Sequence, residues 1–96
     1  MWVFMSDEDG YRDWLGRHPE RAYVLNFRRP TPDRTNLKLH RSSCQTIKGT
    51  PPSGDGWTET YGKACSTDRG ELEVFARELL GAMVDPCRQP GCFPGT

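Results

Sequence analysis

Apolar residues recur at helical spacing in two stretches of the chain. In the first stretch they are Tyr11, Trp14 and Leu15. Their i, i+3, i+4 spacing predicts one buried helical face, and we place this helix at 7–17, with Ser6 as its N-cap and Pro19 beyond its end. In the second stretch they are Leu72, Phe75, Ala76, Leu79 and Met83. This stripe predicts a second helix at 69–83, which begins just after Asp68, a suitable capping residue.

Three other stretches are rich in β-formers and alternate apolar with polar residues, as half-buried β-strands do. The predicted strands cover residues 22–28, 36–40 and 57–65. In the second strand Leu37 and Leu39 face inward, whereas Lys38 and His40 face the other way. A turn region with two prolines separates the first two strands, so we expect them to form a hairpin. In the third strand Gly62 predicts a bulge or a bend.

The remaining segment, 84–96, is a tail with three prolines and two cysteines. Its prolines exclude a helix or a central strand, and a tail of this composition stays loose unless its cysteines tie it down. We treat 1–96 as a single small domain. The order helix, three strands, helix and tail predicts an α+β fold, a small three-stranded antiparallel sheet with two helices packed on one face.

The apolar core of this domain is thin. Only 34% of the 96 residues are hydrophobic, against roughly 45–50% in average domains when Gly is also counted. No stretch approaches the length of a membrane-spanning helix, and the apolar run at 1–5 lacks the features of a signal peptide. We therefore expect a cytoplasmic location and no membrane partner. In a reducing compartment, four cysteines indicate metal ligands or free thiols before disulfides.

One histidine and the four cysteines form the candidate metal site. They are His40, Cys44, Cys65, Cys87 and Cys92. Tetrahedral zinc takes four such ligands, and our first choice is the four cysteines, with His40 as an alternative ligand or as a group that orients one. We accordingly expect the α+β domain to be zinc-stabilised. Reduced unligated thiols are the alternative, and disulfides are another if the chain is exported.

A catalytic role for the same residues is a further hypothesis. Cys44 and His40 could form a nucleophile–base pair in a small thiol enzyme. Their spacing does not ensure contact, and no third residue that would orient the histidine can be identified. We therefore assign no catalytic residue and favour a protein that is not an enzyme.

The charge of the chain is balanced overall but uneven along it. Lys and Arg number 13, as do Asp and Glu, yet the segment 21–65 carries eight basic and three acidic residues. A basic centre attracts phosphate, so we predict contacts with DNA or RNA. The residues expected to make them are Arg28, Arg29, Arg34, Lys38, Arg41, Lys48 and Trp57. The alternative is an accessory module that binds a protein partner without touching nucleic acid.

The chain resembles a family of uncharacterised bacterial small domains in three segments. They are YVLN at 23–26, LHRSSCQTI at 39–47 and KAC at 63–65, and the likeness extends over 14–92. Some members of this family stand alone, and others accompany nuclease or restriction modules. The resemblance implies a restriction or phage-defence setting and transfers no activity.

A looser similarity is to the His-x3-Cys zinc modules related to the metal-binding domain of the alkylation-repair protein Ada. Such modules are linked to nucleases and DNA repair. His40, Cys44 and Cys65 match their pattern in order, but Asp68 stands where the next cysteine would be. The similarity therefore implies that a cysteine of the tail supplies the fourth ligand.

Overall fold

The computed structural model describes residues 1–28, 37–44, 47, 58, 61–79, 81, 83–88 and 92. Within these residues the chain forms two helices and five strands. In chain order they are β1 (Trp2–Phe4), α1 (Glu8–Arg17), β2 (Tyr23–Arg28), β3 (Lys38–Arg41), β4 (Tyr61–Ser66), α2 (Arg69–Leu79) and β5 (Asp85–Pro86). The α+β class and the two helices are thus confirmed.

The sheet is larger than predicted and is mixed. Its strand order is β1-β4-β2-β3-β5. β2 is antiparallel to both β3 and β4, as expected for the predicted hairpin and third strand, and β1 is antiparallel to β4. β5 runs parallel to β3. The prediction of a three-stranded antiparallel sheet is therefore wrong. It missed β1, which has three residues, and β5, which has two, because strands this short show no alternation of apolar and polar residues.

One face of the sheet, here the α1 face, packs against helix α1. Val24 lies opposite His40 on β3 and opposite Cys65 on β4, so these three side chains share that face. Tyr11 and Trp14 of α1 are buried in the same apolar cluster as Val24. The site described below lies on this face.

The opposite face, here the α2 face, packs against helix α2. Leu25 lies opposite Leu39 and Ala64, and these three are buried together with Leu72 and Ala76 of α2. The expectation that both helices pack on one face is therefore wrong. Both faces of the central strand β2 carry buried apolar side chains, so each face needs its own cover.

Helix α1 begins one residue later than its predicted cap implies. Asp7 is the N-cap, and its side chain accepts a hydrogen bond from the Gly10 backbone N–H at 3.0 Å. Ser6, the predicted cap, has a φ of 53° and donates its backbone N–H to the carbonyl oxygen of Thr58. Ser6 thus bonds to a distant segment, and the cap lies one residue later than predicted. Local capping rules do not reveal such a long-range contact.

Helix α2 ends at Leu79, before the predicted limit of 83. Gly81 adopts a φ of 65°, a left-handed conformation that is common just after helices. Met83 is exposed and does not belong to the buried stripe. No described helix is both long and apolar enough to cross a bilayer.

Gly62 does not form the predicted bulge or bend. The pairing of β2 with β4 continues without interruption through Phe27 and Gly62. A Cβ atom at Gly62 would lie 2.2 Å from the Cζ atom of Phe27. The glycine is needed because the aromatic ring lies directly over its Cα.

Candidate metal centre

Four buried side chains converge on the α1 face at the β3 end of the sheet. They are His40, Cys44, Cys87 and Cys92, and their potential ligand atoms all lie within 4.8 Å of one another. The Sγ atoms of Cys44 and Cys87 are 4.0 Å apart. Two thiolates on one tetrahedral zinc ion, each at about 2.3 Å from it, are about 3.8 Å apart. The group could therefore hold a metal ion after a small contraction.

The first two ligands come from β3 and the turn that follows it. His40 is in β3, with its side chain on the α1 face. The backbone N–H of Cys44 donates to the carbonyl oxygen of Arg41 at 2.9 Å, and that of Ser42 donates to the carbonyl oxygen of Ala22 at 2.8 Å. These bonds fold the chain into a turn that returns Cys44 to the side of His40.

Cys87 reaches the site because β5 pairs in parallel with β3. The backbone N–H groups of Asp85 and Cys87 donate to the carbonyl oxygens of Leu37 and Leu39, at 2.9 and 2.8 Å. Since Pro86 lies opposite Leu39, the next residue, Cys87, lies beside His40. An ion pair between the side chains of Lys38 and Asp85 strengthens the same pairing.

A buried hydroxyl connects this site to helix α1. The Oη atom of Tyr11 donates a hydrogen bond to the carbonyl oxygen of Ile47 at 2.7 Å, three residues after Cys44. The backbone N–H of Ile47 donates in turn to the carbonyl oxygen of Cys44. Burial strongly raises the pKa of Tyr11, so this hydroxyl keeps its proton and remains a donor.

Cys65 does not join the group, although sequence analysis placed it among the four preferred ligands. It lies in β4, and strand β2 separates β4 from β3. Neighbouring strands are about 4.8 Å apart, so two steps leave Cys65 about 10 Å from His40. Cys65 is fully buried beside Val24 in the core under α1. The structure brings together His40 and the other three cysteines instead.

Burial sets the protonation of His40 and Cys92 when no metal is bound. It lowers the pKa of His40 to about 4, and the charges of Lys63 and Lys38 lower it further. It also raises the pKa of Cys92 to about 12, with Cys44 and Cys87 adding to the increase. His40 is therefore neutral, which is the form that binds metals, whereas a bound cation must displace the thiol proton of Cys92.

The predicted nucleic-acid contacts are described only in part. Arg28 contributes its backbone to β2, Lys38 is paired with Asp85, and Arg41 is half-buried at the end of β3. The other predicted contacts, Arg29, Arg34, Lys48 and Trp57, lie outside the described residues. The contact with DNA or RNA stays a prediction.

Comparison with known proteins returned no relative of this chain. No protein-family model, no curated protein and no solved structure matches it. The interpretation of the cluster accordingly depends on its own chemistry.

Proposed function

We propose that this protein is a small binding module stabilised by one structural zinc ion, held by His40, Cys44, Cys87 and Cys92. The observation that carries the proposal is the buried convergence of three thiols and one imidazole. A Cys₃His set with tetrahedral spacing suits zinc, since soft sulfur ligands favour it over magnesium or calcium. All four positions are filled by protein, so the role is structural rather than catalytic.

The ion would join two parts of the chain that are distant in sequence. His40 and Cys44 belong to β3 and its turn, whereas Cys87 and Cys92 follow helix α2. A domain with a thin core gains most from such a crosslink. The proposal also leaves Cys44 no free thiolate, so it disfavours the thiol-enzyme hypothesis.

Native mass spectrometry of the purified protein tests the zinc proposal. One zinc ion per chain is expected, and Cys87→Ser should lose it. Cys65→Ser is the matched control, because Cys65 is an equally buried cysteine outside the cluster. A wild-type protein without metal, in which all four thiols react with a thiol reagent under native conditions, would overturn the proposal.

A nucleic-acid contact is the proposed role of the module, and the basic centre of the sequence favours it. Lys38 shares the α1 face with His40, so its contact would lie next to the candidate metal centre, whereas Arg41 lies opposite Tyr23 on the α2 face. Binding through phosphates should weaken steeply with salt. Arg41→Gln should reduce retention of the protein on immobilised DNA or RNA. Arg77→Gln, at an exposed position of helix α2, should not.

Absence of retention on either nucleic acid at low salt would reject this role. An accessory module with a protein partner would then be the better proposal, because the acidic and basic segments of the chain could each meet a complementary surface.

A further inference from the structure

A groove of about 240 Å³ lies between strand β1 and helix α1, at the opposite edge of the sheet from the metal centre. Four aromatic side chains and one ion pair line most of it. They are Trp2, Phe4, Trp14 and His18, with Asp13 and Arg17. Trp2 is 53% exposed although it is a large apolar residue. An exposed tryptophan beside an open groove indicates a binding surface rather than a core.

The rings form two inclined walls. Trp14 and His18 stack on each other, with ring centroids 4.4 Å apart. The Trp2 centroid is 6.4 Å from each of them, at interplanar angles of 48° and 38°. The Nδ1–H of His18 donates to the carbonyl oxygen of Trp14 at 3.0 Å, which fixes the orientation of the imidazole.

This geometry suits a compact, rounded group better than a flat one. A nucleobase sandwiched between two rings needs parallel walls about 7 Å apart. Here the walls are inclined at 48°, and their centroids are 6.4 Å apart. Because Trp14 is only 5% exposed, a rounded group in the groove would contact the exposed ring of Trp2 and the half-buried ring of His18.

The charge around the groove favours a cation. Helix α1 and its cap carry four acidic residues, Asp7, Glu8, Asp9 and Asp13, and two basic residues, Arg12 and Arg17. Arg17 is paired with Asp13, and Arg12 with Glu8. The groove also lies along the C-terminal half of α1, where the helix dipole is negative. The two charges that line the groove, Asp13 and Arg17, offset each other, so the preference for a cation comes from the helix dipole and the acidic excess of the helix.

We propose that this groove binds a quaternary ammonium group, such as the head of a trimethylated lysine side chain or of choline. Such groups are round and positively charged, and they bind to the faces of Trp and other aromatic rings. The exposed ring of Trp2 and the half-buried imidazole of His18, which stacks on Trp14, supply the rings, and the acidic excess of helix α1 supplies the field. The site does not depend on the metal centre.

Titration of the full chain with tetramethylammonium, followed by tryptophan fluorescence and by NMR of the indole N–H groups, tests the proposal. A saturable change is expected, and the uncharged isostere neopentyl alcohol should bind at least about ten-fold more weakly. Trimethyl-lysine and choline are titrated in the same way. The compound that binds more tightly shows whether the quaternary ammonium group comes from a modified lysine or from choline. This comparison uses the unaltered protein, so it is independent of any folding defect in a variant.

Two variants locate the site. Trp2→Ala should weaken tetramethylammonium binding by about ten-fold. Val3→Ala should leave it unchanged, because Val3 is an exposed neighbour on the same strand whose side chain lies on the other face. Equal binding of the neutral isostere, no saturable change, or no effect of Trp2→Ala would overturn the proposal. So would a dimer that Trp2→Ala converts to monomer, because the groove would then be an interface between two copies.

Discussion

Removal of the metal should release strand β5 before it disturbs the central sheet. β5 is held to β3 by ladder hydrogen bonds, among them those that Asp85 and Cys87 donate, and by the Lys38–Asp85 ion pair. Each hydrogen bond contributes about 1 kcal/mol, and a half-exposed ion pair adds less than about 1 kcal/mol. Fixing the four backbone residues 85–88 costs about 4–8 kcal/mol.

Those few bonds therefore at best offset the low end of this cost. A structural zinc ion is worth about 10 kcal/mol or more, enough to reverse the balance. Amide hydrogen exchange with and without a zinc chelator measures the effect. Chelation should abolish protection at the Asp85 and Cys87 amides, while amides in the β2–β4 pairing, such as Leu25 and Ala64, remain protected. Unchanged protection at Asp85 and Cys87 after verified zinc loss, or an equal loss at both sets, would refute the reasoning.

Three further predictions follow from single contacts. Gly62→Ala should destabilise the protein by about 1–3 kcal/mol in urea unfolding, since the new Cβ atom would overlap the Phe27 ring. The double variant that also carries Phe27→Leu should recover part of this loss. Asp7→Ala should cost about 1 kcal/mol, whereas Asp9→Ala, at an exposed acidic residue of the first turn, should cost less because it removes no cap; equal losses would show that Asp7 is not the cap. Burial lowers the pKa of Lys63 to about 8. Between about pH 8 and the ordinary lysine pKa, the unfolded chain therefore binds more protons at this residue than the folded chain does. The free energy of unfolding consequently rises with pH in this range. From about pH 8 to about pH 9 the wild type should gain about 1 kcal/mol relative to Lys63→Met, and a constant difference between the two would contradict the assignment.

Residue periodicity predicted the two helices and the three central strands because each of these elements has at least one regular stripe of buried side chains. Tyr23, Leu25 and Phe27 all pack on the α2 face, at every second position of β2. The same periodicity could not identify β1 or β5. A strand of two or three residues has no measurable period, and pairing with a distant strand fixes it in place.

The residues of the candidate metal site were predictable as a set but not as a choice among its members. His40 and Cys44 are close in sequence, and their proximity in space follows from one turn. The selection of Cys87 over Cys65 depends on strand order, because β2 lies between β4 and β3 whereas β5 lies next to β3. Strand order is a property of the whole fold, and no local pattern in the sequence encodes it.

The parallel pairing of β5 also limits how this protein can associate with other chains. Successive backbone N–H groups of a strand point to opposite sides, and those of Asp85 and Cys87 point toward β3. The residue between them, whose nitrogen faces outward, is Pro86, which has no hydrogen to donate. An incoming strand would find no donor at that position, and strand addition at an edge is a common route to aggregation. The proline at this edge of the described sheet, beside the candidate metal site, thus hinders extension of the sheet by a second copy of the chain.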